Sequence, residues 1–141
     1  MTTHPYIFPQ EQIQAILDGS KTQFRVPLAM QPPKWAELIK HDDSRFVFGH
    51  SSTSDYHCAH TPYEIGDWLI VNEIRGMYFS ITGIKVMRIQ DISEEDCLKN
   101  YVGNWGCDTI EVFKDYFDST HGECAWDRND WVWVFEFKRI K

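Results

Sequence analysis

The segment Lys21-Thr22-Gln23-Phe24-Arg25 gathers side chains able to grip a ligand or react with one. In extended backbone successive side chains alternate between faces, so Lys21, Gln23 and Arg25 project together, two cations four residues apart, spaced for a phosphate or a carboxylate. Thr22 and Phe24 face the other way. The same residues also admit a purely structural reading, in which Lys21 covers the carbonyls at the end of a preceding helix and Arg25 pairs with a surface acid. Glu73 closes the run Val71-Asn72-Glu73 with a carboxylate that could accept a hydrogen bond from a ligand, orient Lys21 or pair with Arg75. A third group, His57-Cys58-Ala59-His60 with His50, Cys107, His121 and Cys124, has the side-chain types of zinc ligands. The paired spacings of a closed four-ligand site are missing, so no metal and no other cofactor is expected.

These groups need a scaffold, and the hydrophobic pattern supplies one. Pro9 opens a short amphipathic helix over 9–18, with Ile13, Ile16 and Leu17 on one face and Gly19 as the stop. The Lys21 segment leaves that helix as a strand ending at Pro27. Three prolines between 27 and 33 predict an irregular connection, followed by a short helix around Trp35 to Lys40 and a brief strand at Arg45–Phe48. The stretch 49–62, rich in Ser, Thr and His without periodicity, reads as an exposed loop. Trp68–Val71 is continuously apolar and reads as a central strand covered on both faces. Tyr78–Ile89 reads as a long strand interrupted by a bulge at Gly83. Ser93 and Asp108, each followed three residues on by an acid, open two further helices. The C-terminal WVWVFEFKRI alternates Trp131, Trp133, Phe135 and Phe137 with Val132, Val134, Glu136 and Lys138, a strand buried on one side and increasingly solvated on the other.

Strands that do not alternate regularly with crossover helices argue for an α+β fold, a mixed or antiparallel sheet curled into a small barrel with helices outside. A chain of 141 residues favours a single domain over 1–141. Apolar residues make up 43% and aromatic ones 15%, enough to build a core and to exclude intrinsic disorder. A formal net charge of −7 disfavours a sequence-independent nucleic-acid coat, while leaving room for a local basic groove or for an acidic surface that engages a basic protein. No segment approaches the roughly 20 consecutive apolar residues of a membrane helix, and MTTHPYIFPQ lacks the parts of a signal peptide. A soluble, cytoplasmic protein with reduced cysteines is the expectation, with no membrane partner.

Four segments, GSKTQFR, PYEIGDWLIVNE, DISEED and AWDRNDWVWVFEF, arrive in an order that resembles the ASCH domain, in the variants carried by phages and prophages. The resemblance covers nearly the whole chain apart from 27–60. It implies a PUA-like barrel, a cleft between the first helix and the barrel, and binding of RNA, a nucleotide or a modified nucleoside through Lys21, Thr22, Gln23, Arg25 and Glu73. A phage origin would place it in the host cytoplasm, where a basic host protein is a further candidate partner. Some small relatives hydrolyse the amide of N4-acetylcytidine with a Lys, a Thr and a Glu. Carried across residue by residue, Lys21 matches the lysine, but the nucleophile position falls on Phe24 and the acid position on Asn100. Neither can perform that chemistry. An amidohydrolase or ribonuclease would need relocated groups, with Lys21 the one catalytic candidate, so the resemblance implies a binding module first.

Overall fold

The computed structural model describes residues 2–41, 45–49, 56–73, 76–101 and 109–140. Among these, β1 (Thr3–Tyr6), β2 (Gln23–Pro27), β6 (Trp68–Val71), β7 (Tyr78–Arg88) and β8 (Trp131–Arg139) form a mixed sheet in the order β1-β6-β7-β8-β2. Only β1 and β6 run parallel; the other pairs are antiparallel. A second, antiparallel sheet contains β3 (Glu37–His41), β4 (Arg45–Gly49) and β5 (Tyr56–His60). The sheets share an apolar core, where Phe46 meets Trp133 and Phe48 meets Trp131 with ring centroids 5.0 and 4.9 Å apart. This is the α+β class the sequence predicts, with the bulge in β7 falling between Ile81 and Gly83 as the glycine suggests.

Among the described residues three α-helices lie outside the sheets: α1 (Ile13–Asp18), entered through a 3-10 turn at Gln10–Gln12, α2 (Glu94–Asn100) and α3 (Ile110–His121). Ser93 caps α2, its hydroxyl accepting from the Asp96 N–H at 3.1 Å. Thr109 caps α3 by accepting from the Val112 N–H at 3.2 Å, one residue after the expected Asp108, which lies outside the described residues. Val132 and Val134 of β8 are fully buried in a second apolar cluster with Ile89, Ile92, Phe113 and Phe117. The outer face of β8 is therefore covered by helices as far as Val134, and solvation begins only at Glu136.

Three other expectations change. Residues 37–41 form β3 instead of a helix, because pairing Leu38 with Phe48 buries that edge of the core, outweighing a local preference. Within 49–62, Tyr56–His60 form β5; outward Tyr56, Cys58 and His60 mask the alternation, and only Ala59 among the inward residues is plainly apolar. The strand β6 lies inside the sheet, yet only Leu69 and Val71 are buried and Trp68 and Ile70 are half-buried. One strand, β1, had no sequence signal, since THPY carries a proline and no apolar alternation. As an edge strand it tolerates Pro5, and Asp67 ties it down: its carboxylate accepts from the Thr2 N–H at 3.0 Å and meets His4 Nε2 at 2.9 Å. Among the described residues no helix is long and apolar enough to cross a membrane.

Candidate functional site

Gly19 ends α1 with φ +87, a conformation glycine adopts without strain, and the chain turns sharply into β2. Three elements then pin the turn. The Lys21 N–H donates to the Ala15 carbonyl at 3.0 Å, the Thr22 N–H to the Lys99 carbonyl at 2.9 Å, and the Phe137 N–H to the Thr22 carbonyl at 3.0 Å. Because β2 is the edge strand beside β8, its free side lies open to α2, α3 and the segment before α1.

Lys21, Gln23 and Arg25 project to one side, as strand alternation requires, and all three are buried together with Asn100. Lys21 Nζ donates to the Gln23 carbonyl at 3.0 Å and to the Asn100 carbonyl. It thus covers the C-terminus of α2, while α1 is closed by the Lys21 backbone. Asn100 Nδ2 donates to Gln23 Oε1 and to the Asp96 carbonyl, both at 2.6 Å. Arg25 Nη2 donates to Gln23 Oε1 and to Asp96 Oδ2, each at 3.1 Å. Two donors of this ladder, Gln23 Nε2 and Arg25 Nε, have no partner. Burial lowers Arg25 from its ordinary value, with Asp96 and Cys97 opposing. Burial alone pushes Lys21 down to about 7, because the desolvated ammonium has only neutral carbonyls for partners.

A cavity of about 290 Å³ runs along this edge. Lys21, Arg25 and Asn100 line it together with Phe24 and Val26 from the opposite face of β2, since an edge strand exposes both faces to a neighbouring cavity. Tyr6, Phe8 and Phe24 form an aromatic wall with ring centroids 4.6 to 5.3 Å apart. Phe113, Tyr116 and Phe117 of α3 face them. Gln12 Nε2 reaches across to the Tyr116 hydroxyl at 3.3 Å. Burial, followed by Tyr63 and Tyr116, raises Tyr6 to about 12, which keeps it a neutral phenol. Lys21 Nζ stands 5.7 Å from the Phe8 ring centre. Aromatic side chains of the β1–β2 side and of α3 line the chamber, with amide, guanidinium and amine groups also in its lining, a mix of apolar and polar groups that suits a flat heterocycle.

The sequence-derived residues therefore divide. Lys21, Arg25, Phe24 and Asn100 line one cavity, and Gln23 lies buried behind it, holding Asn100 and Arg25 in place. Thr22 lines a different cavity on the far side of Lys21. Glu73 is exposed, with φ +59, and lines neither. Its neighbour Asn72 is the residue of that run that serves the site: Oδ1 accepts from the Phe8 N–H at 2.8 Å and Nδ2 donates to the Phe8 carbonyl at 3.0 Å. Tyr6, Phe8, Gln12 and Tyr116 also had no place in the sequence reading. Among the described residues no cluster of three or more His, Cys, Asp or Glu could hold a metal; His57 Nε2 lies 3.2 Å from the Met30 carbonyl, while His50 and Cys107 lie outside those residues.

The fold is similar to three solved structures. The hypothetical protein PH0355 matches with a TM-score of 0.60 at 14% identity, covering 99% of this chain and 100% of its own. An ASCH domain from Lactobacillus crispatus JV V101 matches at 0.56 and 14%, covering 98% and 79%. Protein EF3133 from Enterococcus faecalis V583, a DUF984 protein, matches at 0.53 and 11%, covering 99% and 81%. No family model matches the sequence, and no curated protein is significantly similar to it.

Proposed function

We propose that the protein is an ASCH-type binding module whose cavity beside β2 takes a nucleobase, presented by a modified nucleoside, a nucleotide or an unpaired base of RNA. The observation that carries this reading is the joint lining of one cavity by an aromatic wall, Tyr6, Phe8 and Phe24, and a buried polar end, Lys21, Arg25 and Asn100. Base-on-ring stacking is worth about 1–3 kcal/mol per base, and the polar end supplies donors for ring nitrogens and carbonyls. The two cations do not make this cavity an anion site. Arg25 is already paired with Asp96 at 3.1 Å, and Lys21 is close to half-neutral at pH 7. The cavity therefore favours the uncharged part of a nucleotide over its phosphate.

Calorimetric titration with the four ribonucleosides and N4-acetylcytidine tests the reading when paired with Thr120→Trp. Thr120 is an exposed residue of α3 at the cavity, so the indole fills the opening while the core stays untouched. Binding of at least one nucleoside that weakens about tenfold or more in the variant, about 1.4 kcal/mol, supports the assignment; equal affinities would overturn it.

One observation favours a hydrolase as a second reading. An amine near 7 can accept a proton at neutral pH, as a general base must. The groups around it argue the other way, because Phe24 offers no nucleophile, Asn100 no acid, and the Asp96 carboxylate is tied to Arg25. Incubation with N4-acetylcytidine followed by chromatography is expected to show no conversion at enzymatic rates, on the order of 1 per second. Turnover at that rate would install Lys21 as base, with water or Thr22 as nucleophile.

A further inference from the structure

A second cavity, of about 410 Å³, lies on the other side of Lys21, between the C-terminal end of α1 and the ends of β7 and β8. Its floor is apolar, formed by Ile16, Phe79 and Phe137. Its charged lining is Lys138 and Arg139 against one carboxylate, Asp18; Lys21 borders it too, with its Nζ held by the Gln23 and Asn100 carbonyls. That carboxylate is already engaged by Ser20, which donates its N–H at 2.8 Å and its hydroxyl at 2.6 Å. By contrast, the Lys138 ammonium and the Thr22 hydroxyl make no hydrogen bond or ion pair among the described residues. On a chain of net charge −7, a cavity whose lining sets Lys138 and Arg139 against one acid runs against the average of the molecule. The division is chemical as well as spatial, since the cation facing the aromatic cavity is neutralised by Asp96, whereas Lys138 here is not.

The geometry points to this second cavity as a phosphoryl-binding site, with the Lys138 ammonium and the Thr22 hydroxyl donating to phosphate oxygens and Arg139 adding positive charge. It deepens the nucleobase reading and rests on it for the identity of the rest of the ligand. Lys21 belongs to both cavities, so base and phosphate occupy opposite sides of one side chain. Thr22, which lines this cavity and not the aromatic one, gains a role here. The phosphoryl group comes either from a nucleotide or from the backbone of an RNA strand, and the two sources are separable.

The test uses inorganic phosphate first, at constant ionic strength, with binding followed by amide chemical shifts in the wild type, Lys138→Ala and Thr22→Val. Phosphate is expected to move the Thr22 and Lys138 resonances, and each substitution to weaken it about fivefold or more. Cytidine is then compared with cytidine 5′-monophosphate and with a short single-stranded RNA. A gain of tenfold or more for the monophosphate, lost in Lys138→Ala, identifies a nucleotide; a gain only for the RNA identifies a strand. Phosphate shifts that avoid Thr22 and Lys138, or affinities equal in all three proteins, would overturn the site. Nucleosides that fail to bind while phosphate still moves these resonances would overturn the aromatic-cavity reading and leave this one standing.

Discussion

Lys21 is the residue on which the structure places opposing demands. Its ammonium sits in a buried position with two neutral acceptors, and its pKa falls from an ordinary 10.5 to about 7. Between those values the unfolded chain binds a proton that the folded one does not, so stability rises with pH across that window and the Lys21 contribution levels off above it. The slope is at most about 1.4 kcal/mol per pH unit for one proton. Denaturant titrations from pH 7 to 10 are expected to show this rise in the wild type and a flatter profile in Lys21→Met. An identical rise in both proteins would place the titrating group elsewhere. The strand parity that groups Lys21, Gln23 and Arg25 is local, which is why the sequence sufficed to find it. The partners that consume them, Asn100 and Asp96, come from a helix more than seventy residues away, and nothing in the local pattern marks them.

Among the elements, α2 matters most to the site, because its last turn supplies Asn100 and its first turn Asp96. The Ser93 cap was legible from a hydroxyl followed by acids, and Ser93→Ala is expected to cost about 1 kcal/mol in a denaturant melt. At the other end of the sheet, β1 was illegible: it forms because Asp67 and the parallel ladder to β6 hold it, both of them long-range contacts. Burial raises the Asp67 carboxyl, but hydrogen bonds from the Glu64 N–H, His4 and the Thr2 N–H outweigh it and hold the group below its ordinary 3.8. Its contribution is therefore present above that value and is lost as pH falls below it. Asp67→Asn is expected to remove about 1–3 kcal/mol at pH 7 and to shrink the acid limb of the stability profile. A variant with unchanged stability at pH 7 would mean that β1 is held by its backbone ladder alone. Tyr6 ends this strand and Phe8 lies two residues on, so the aromatic wall inherits its position from a pairing that no local pattern announces.

At the scale of the whole molecule, the two sheets leave β2 as an edge, and both cavities border that strand or its approach from α1. The fold class was legible because hydrophobic periodicity fixes strands and helices one by one. The site was legible only in part, because a cavity beside an edge strand collects residues from four separate stretches of chain. Elemental analysis of protein purified without added zinc is expected to find well under one equivalent, and chelator is expected to leave the melting temperature unmoved. Stoichiometric zinc lost together with the fold would contradict that. The central claim is that the cavity bounded by Tyr6, Phe8, Phe24 and Asn100 holds a nucleobase. An amide and side-chain chemical-shift map of the labelled protein, titrated with the four ribonucleosides and N4-acetylcytidine, tests it most directly. At least one nucleoside is expected to move the resonances of Tyr6, Phe8, Gln12 and Asn100 together. Shifts confined to the β3–β4–β5 sheet, or no saturable shift with any of the five, would contradict it.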